Sequence, residues 1–143
     1  MREKTLLLIK PDAVKSRYIG DIITHIEHND FHISAMKMLE MTKEQANRFY
    51  NIHQEKPFFD DLIQFMTSGP IVALILEKIN AVEDLRKLVG NTDPLKAEEN
   101  SIRRKYGESV SRNAVHASDS VANALVEINT VFPDLLNKLN IEK

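Results

Sequence analysis

In the stretch NAVHASDS, residues 113–120, one histidine stands among small residues directly ahead of a helix start. Ala114 and Ala117 do not screen an imidazole from a substrate as bulky neighbours would. Ser118, Asp119 and Ser120 are all good N-cap types for the periodic run that begins at Val121. The backbone N–H groups of a helix start favour negative charge nearby. An exposed, mostly neutral imidazole beside such an end suits nucleophilic attack on a phosphoryl group. A lone histidine before a cap is more often a capping or surface residue, so His116 needs support from elsewhere in the chain. A Ser118, His116 and Asp119 triad is disfavoured. Triad members are normally gathered from distant positions, and no G-x-S-x-G elbow exposes a serine.

The bulk properties narrow the classes. At 143 residues and 16.4 kDa the chain is read as one domain, 1–143, large enough to bury its own core. A hydrophobic content of 43% with 28% charged residues is ordinary for a soluble protein. A net charge of −2 argues against a general nucleic-acid coat, which rests on clustered Lys and Arg. It leaves room for a local basic pocket. Zero cysteines exclude disulfides, thiolate zinc sites and cysteine nucleophiles. The N-terminal apolar run ending at Lys10-Pro11-Asp12 is too short for a signal peptide or a membrane span. The expectation is a cytoplasmic protein with no membrane partner and no requirement for nucleic acid.

Elements able to position His116 can be read from periodicity. Residues 5–9 form a compact apolar run, expected as a buried first strand stopped by Pro11. Ile19, Ile22, Ile23 and Ile26 fall at helical spacing, closing near Asn29-Asp30. His25 and His28 share that helix; with no third ligand in view they read as a solvated flank. Residues 31–41 partly alternate and predict a second strand. Thr42 with Gln45 predicts a capped helix through Tyr50, and Pro57 opens a stubby helix carrying Phe58, Phe59, Leu62, Ile63 and Met66. Residues 71–76 predict a third strand after the Ser68-Gly69-Pro70 turn. Asn80 with Glu83 predicts the next helix, which turns Val82, Leu85 and Leu88 inward, with Gly90 as a left-handed stop. Residues 91–112 show a turn at Thr92-Asp93-Pro94 and little periodicity, so a long functional loop is expected. A short strand around Ala114-Val115 and a helix over 120–131 follow. The tail is expected on the surface, docked by Leu135, Leu136 and Leu139. This order predicts an α+β fold: a ferredoxin-like βαββαβ sandwich whose four-stranded antiparallel sheet is covered by helices.

Further matches accompany the histidine stretch. In order they are Ile9-Lys10-Pro11-Asp12-Ala13-Val14, Lys56-Pro57-Phe58-Phe59, Met66-Thr67-Ser68-Gly69-Pro70, Asn80-Ala81-Val82, Arg86, Gly90-x-Thr92-x-Pro94, Ser101-Ile102-Arg103 and Arg112-Asn113. With Asn113-x-x-His116-x-Ser118-Asp119-Ser120 they run over nearly the full length, and the whole chain resembles a nucleoside diphosphate kinase of the short bacterial type.

The resemblance implies transfer of a γ-phosphoryl group from a nucleoside triphosphate to a nucleoside diphosphate, by a ping-pong cycle through a phosphohistidine on His116. It implies Glu127 as the acceptor that holds the histidine tautomer. It implies Lys10, Arg86 and Arg103 as phosphate cations, with Thr92 as a hydroxyl donor. Asn113 and Lys10 resemble the pair that contacts the sugar. Phe58 looks like the base platform, with Leu62 and Val110 completing a slot, although helical spacing alone makes Phe58 and Leu62 core residues. Such a slot lacks specific edge contacts, so it implies broad base tolerance. Tyr50 and Ser118 match residues that support the histidine. Mg²⁺ is expected to ride on the substrate phosphates rather than in a protein cage. The resemblance also implies a homo-oligomer, hexamer or tetramer.

A binding or regulatory oligomer without catalysis is the alternative. Four places depart from the family's commoner pattern: Ala117 for glycine, Asn29-Asp30 and Lys78 where glycine is typical, and Glu99-Asn100 before Ser101. A turn at Lys78 is expected to differ most, because Lys tolerates left-handed backbone poorly.

Overall fold

The computed structural model describes residues 2–135. Four strands, β1 (Arg2–Ile9), β2 (His32–Leu39), β3 (Ile71–Ile79) and β4 (Val115–Ala117), form one antiparallel sheet in the order β2-β3-β1-β4. Helices connect and cover them: α1 (Pro11–Lys15), α2 (Ile19–His28), α3 (Lys43–Phe49), α4 (Phe59–Met66), α5 (Ala81–Val89), α6 (Ile102–Tyr106) and α7 (Val121–Val131). This is the ferredoxin-like α+β sandwich expected from the pattern, with α3 and α4 added between β2 and β3.

The two central strands are apolar without interruption over residues 6–9 and 71–76, where both of their faces are covered. Successive side chains in a strand point to opposite faces. Leu7 and Ile9 therefore join Val72, Leu74 and Leu76 against Ile22 and Ile26 of α2 and Leu85 and Val89 of α5. Leu6 and Leu8 join Ile71, Ala73 and Ile75 against Ala46 and Phe49 of α3, Ile63 and Met66 of α4, and Ile128 and Val131 of α7. Each such large side chain contributes about 1.5–3 kcal/mol by leaving water. On the edge strand β2, Met36 and Met38 remain exposed. Leu135 packs on the α7 side of the sheet; the other two leucines expected to dock the tail, Leu136 and Leu139, lie outside the described residues.

Several local expectations change. Pro11 does not merely stop β1; it starts the short helix α1, its missing N–H being no loss at a first turn. Residues 91–112 are not structureless: they hold a 3₁₀ turn at Pro94–Lys96, capped by Asp93, and α6, capped by Ser101. Both are too short for periodicity to show. The final strand lies at Val115–Ala117 rather than Ala114-Val115, so His116 is itself a strand residue. The turn into α5 falls at Asn80 (φ 56°), leaving Lys78 extended within β3 and bonded to Asp84 at 2.6 Å. Asn80 makes no side-chain cap; instead the N–H of Val82 donates to Glu3 Oε1 at 3.2 Å, which ties β1 to α5. At the other departure, Asp30 takes the left-handed backbone (φ 69°).

Gly90 has the positive φ expected of it, 89°, but with ψ −175° it leaves the helix extended rather than left-handed. A Cβ there would sit 2.6 Å from both Cβ and Oγ of Ser101. Gly90→Ala therefore combines backbone strain with overpacking. An expected loss of about 2–4 kcal/mol should lower the urea midpoint with an unchanged m-value; an unaltered midpoint would refute the constraint.

Candidate active site

The register of β4 on β1 places the histidine. His116 lies opposite Leu8, and directly paired residues in an antiparallel ladder share a face. Leu8 belongs to the face covered by α3, α4 and α7, so the imidazole emerges there. Phe49 and Tyr50 meet it edge-on, with centroids 5.0 and 6.1 Å away. From α7, Glu127 Oε1 lies 2.9 Å from His116 Nε2 and also accepts from Ser118 Oγ at 2.6 Å. A carboxylate oxygen only accepts, so in the neutral ring Nε2 carries the proton and Nδ1 keeps its lone pair. The side chain of His116 is 22% exposed.

That ring lines a cleft of about 680 Å³ whose walls include Lys10, Tyr50, Phe58, Leu62, Thr92, Arg103, Val110 and Asn113. Lys10 ends β1 and is only 7% exposed. Its Nζ donates to Asn113 Oδ1 at 2.9 Å, and Asn113 Nδ2 donates to the carbonyl of Thr92 at 3.1 Å. Arg103 on α6 donates through Nη1 to the Gly90 carbonyl and through Nη2 to that of Val115, at 3.1 and 3.0 Å. Its neighbour Arg104 turns away to the Leu95 carbonyl. Phe58, half exposed, faces the cleft, and Leu62 on the same wall also packs against the core.

Not every selected residue reaches the cleft. Arg86 lines an adjoining groove with Glu3, Asp119 and Ser120, and its Nη1 reaches the Ala117 carbonyl at 3.4 Å. Glu127 and Ser118 stand behind the histidine.

Six cleft residues carry no role in the sequence pattern: His53, Asp61, Phe65, Ser111, Arg112 and Val115. Asp61 and Phe65 fall three and seven residues after Phe58, the helical spacing that could have found them. Arg112 stands over the Phe65 ring at 5.1 Å. His53 comes from a 3₁₀ turn, Asn51–His53, for which no periodic signal exists.

Burial governs the electrostatics. It pushes the Lys10 ammonium down to about 8, with Asp12 opposing the fall and Arg103 adding to it. Burial, then Arg86, brings Arg103 down to about 10. His53 is held below the usual histidine range by burial, Lys56 and His116, against Asp119. Burial, then Glu127, raises Tyr50, so its hydroxyl stays protonated; that oxygen is buried with no partner among the described residues. The cleft thus offers cations and donors, a set that suits phosphate oxygens. Among the described residues no group of three or more His, Cys, Asp or Glu could hold a metal ion.

The sequence pattern of the family described as nucleoside diphosphate kinase matches residues 3–136. The chain belongs to the nucleoside diphosphate kinase family. It is 54% identical over 130 residues to a nucleoside diphosphate kinase of Lawsonia intracellularis, covering 91% of this chain and 94% of that one. A Persephonella marina relative of the same name is 48% identical over 133 residues, covering 93% and 95%. Among solved structures, the Aquifex aeolicus nucleoside diphosphate kinase superposes with a TM-score of 0.90 at 41% identity, covering 92% of this chain and 96% of that one. Family membership and fold therefore agree over almost the whole chain.

A cleft cation near its titration point predicts pH-dependent binding. Lys10 is charged below about pH 8 and neutral above it. The dissociation constant of ADP, measured calorimetrically, should rise by roughly tenfold between pH 7 and 9.5, the worth of one charged hydrogen bond. That rise should be missing in Lys10→Met. A wild-type affinity flat to pH 9.5 would refute it.

Proposed function

We propose that this protein moves the γ-phosphoryl group of a nucleoside triphosphate onto a nucleoside diphosphate through a phosphohistidine on Nδ1 of His116. The observation carrying this reading is the 2.9 Å contact between His116 Nε2 and Glu127 Oε1, which leaves the opposite nitrogen to the cleft. Nδ1 attacks the γ-phosphorus with its lone pair. The bond from that phosphorus to the β,γ-bridging oxygen breaks, and the nucleoside diphosphate leaves with the electron pair. Glu127 stabilises the positive charge that develops on the ring, as an orienting carboxylate does for other catalytic histidines. After exchange of nucleotide, the same step runs in reverse onto the new diphosphate.

The remaining residues bind and orient, since phosphoryl transfer leaves the protein mainly positioning and charge stabilisation. Lys10 and Asn113 take the sugar, and Lys10 also faces the phosphates with Arg103 and Thr92. Arg86 contributes charge from behind Ala117. Phe58, Leu62 and Val110 form an apolar slot that stacks any base, which supports broad tolerance. Tyr50 and Ser118 hold the imidazole and Glu127. Mg²⁺ carried on the substrate phosphates would neutralise part of their charge, and the cleft's lysine, arginine and amide donors fit such a complex.

A single domain working in the cytoplasm as a homo-oligomer, hexamer or tetramer, completes the reading. No helix among the described residues is long and apolar enough to cross a membrane. Exposed Met36, Met38 and Leu95 offer apolar surface for a second copy.

The test mixes the protein with γ-labelled ATP and Mg²⁺ in the absence of acceptor. Acid-labile, base-stable label should appear on the wild type and leave on adding a nucleoside diphosphate. His116→Gln should fold, bind ATP and take no label. ATP binding without any label on the wild type would instead favour a binding or regulatory protein.

A further inference from the structure

Between the two site residues Asn113 and His116 the backbone is strained. Ala114 has φ 75° and no exposed surface. The N–H of Val115 donates to the Asn113 carbonyl at 2.9 Å, so residues 113–115 make a γ-turn with positive φ at an alanine. Such turns are rare, and a strained conformer persists only where its surroundings over-determine it. Here both peptide groups of Ala114 are held from the start of α1. Its carbonyl accepts from Lys10 N at 2.9 Å, and its N–H donates to Asp12 Oδ2 at 3.0 Å. Pro11 lies between these two holders and stiffens them by fixing its own φ.

The Asp12 side chain makes no other hydrogen bond among the described residues. It is 8% exposed, and its second oxygen, Oδ1, is buried without a partner among the described residues. A buried carboxylate with an idle oxygen is costly, and calls for a compensating role. Two are visible. One is the clamp on Ala114. The other is charge: the groups acting on Lys10 are Asp12 from α1 and Arg103 from α6, and Arg112 shares the Phe65 ring with Lys10. Asp12 alone among them is negative.

We propose that Asp12 is a positioning residue for the transfer, clamping the strained turn at Ala114 that aims Asn113 and His116, and balancing the Lys10 ammonium. This rests on the phosphohistidine reading. The two roles separate by substitution. Asparagine keeps an acceptor for the Ala114 N–H but loses the charge; alanine loses both. Glycine at position 114 accepts positive φ without strain, so it replaces the clamp but not the charge.

Steady-state kinetics of the full-length protein, with folding checked by circular dichroism, would decide. Asp12→Ala should lower kcat by roughly tenfold or more. Adding Ala114→Gly should restore about threefold or more of kcat while the nucleotide KM stays raised. Asp12→Asn should keep kcat within about threefold of wild type. Its KM should climb from a lower pH than the wild type's, because removing the negative charge weakens the hold of Lys10 on its proton. A kcat for Asp12→Ala within about twofold of wild type, a loss that Ala114→Gly leaves untouched, or an Asp12→Asn pH profile matching wild type each overturns the proposal. If Asp12→Ala does not fold, the Asp12→Asn profile decides alone. Absence of transfer by the wild type overturns the kinase reading and this one together.

Discussion

The rest of the site depends on the register of a three-residue strand. β4 pairs with β1 so that His116 faces Leu8, and a slip of one residue would send the imidazole to the opposite face, against α2 and α5. So short a ladder has few bonds of its own. Contacts at both ends hold it: Lys10 N to the Ala114 carbonyl on one side, and Ser118 N to the Leu6 carbonyl on the other, at 2.9 and 3.2 Å. Ser118 then serves twice, since its hydroxyl reaches the same Glu127 oxygen as the histidine. The strand that delivers His116 and the carboxylate that orients it are thus fixed by one local network.

Around this network the protein concentrates positive charge in a chain whose net charge is −2. Lys10 is buried and Arg103 half-buried, which strengthens their pull on an anion and raises the cost of leaving them unpaired. Backbone carbonyls and Asn113 hold them in place before any substrate arrives. Arranging donors in advance leaves little reorganisation for the moment of reaction. The neighbouring Asp12 is the counterweight that lets a lysine remain cationic at such depth.

The order of the elements was legible in the sequence because strand and helix periods differ, and β1 and β3 are long apolar runs. His116 and Lys10 were legible because each stands at the end of such a run or cap. Residues 94–96 and α6 were not, since one helical turn shows no period. By spacing alone Phe58 and Leu62 read as core residues; the fold leaves Phe58 half exposed on the cleft wall and packs Leu62 against both cleft and core. Asp12 escaped because its partner, Ala114, is 102 positions away, and His53 because it comes from a turn without pattern.

Sequence alone therefore determined which chemical groups are present and the strand and helix order, because these follow from residue type and local periodicity, while its ordered motifs carried the resemblance to the family. Tertiary structure decided which nitrogen of His116 is left to the cleft, that Arg104 turns to the Leu95 carbonyl, and that Arg86 stands behind the cleft. Those outcomes depend on pairing register and on where helices from distant segments come to rest against one sheet, and no local pattern encodes either.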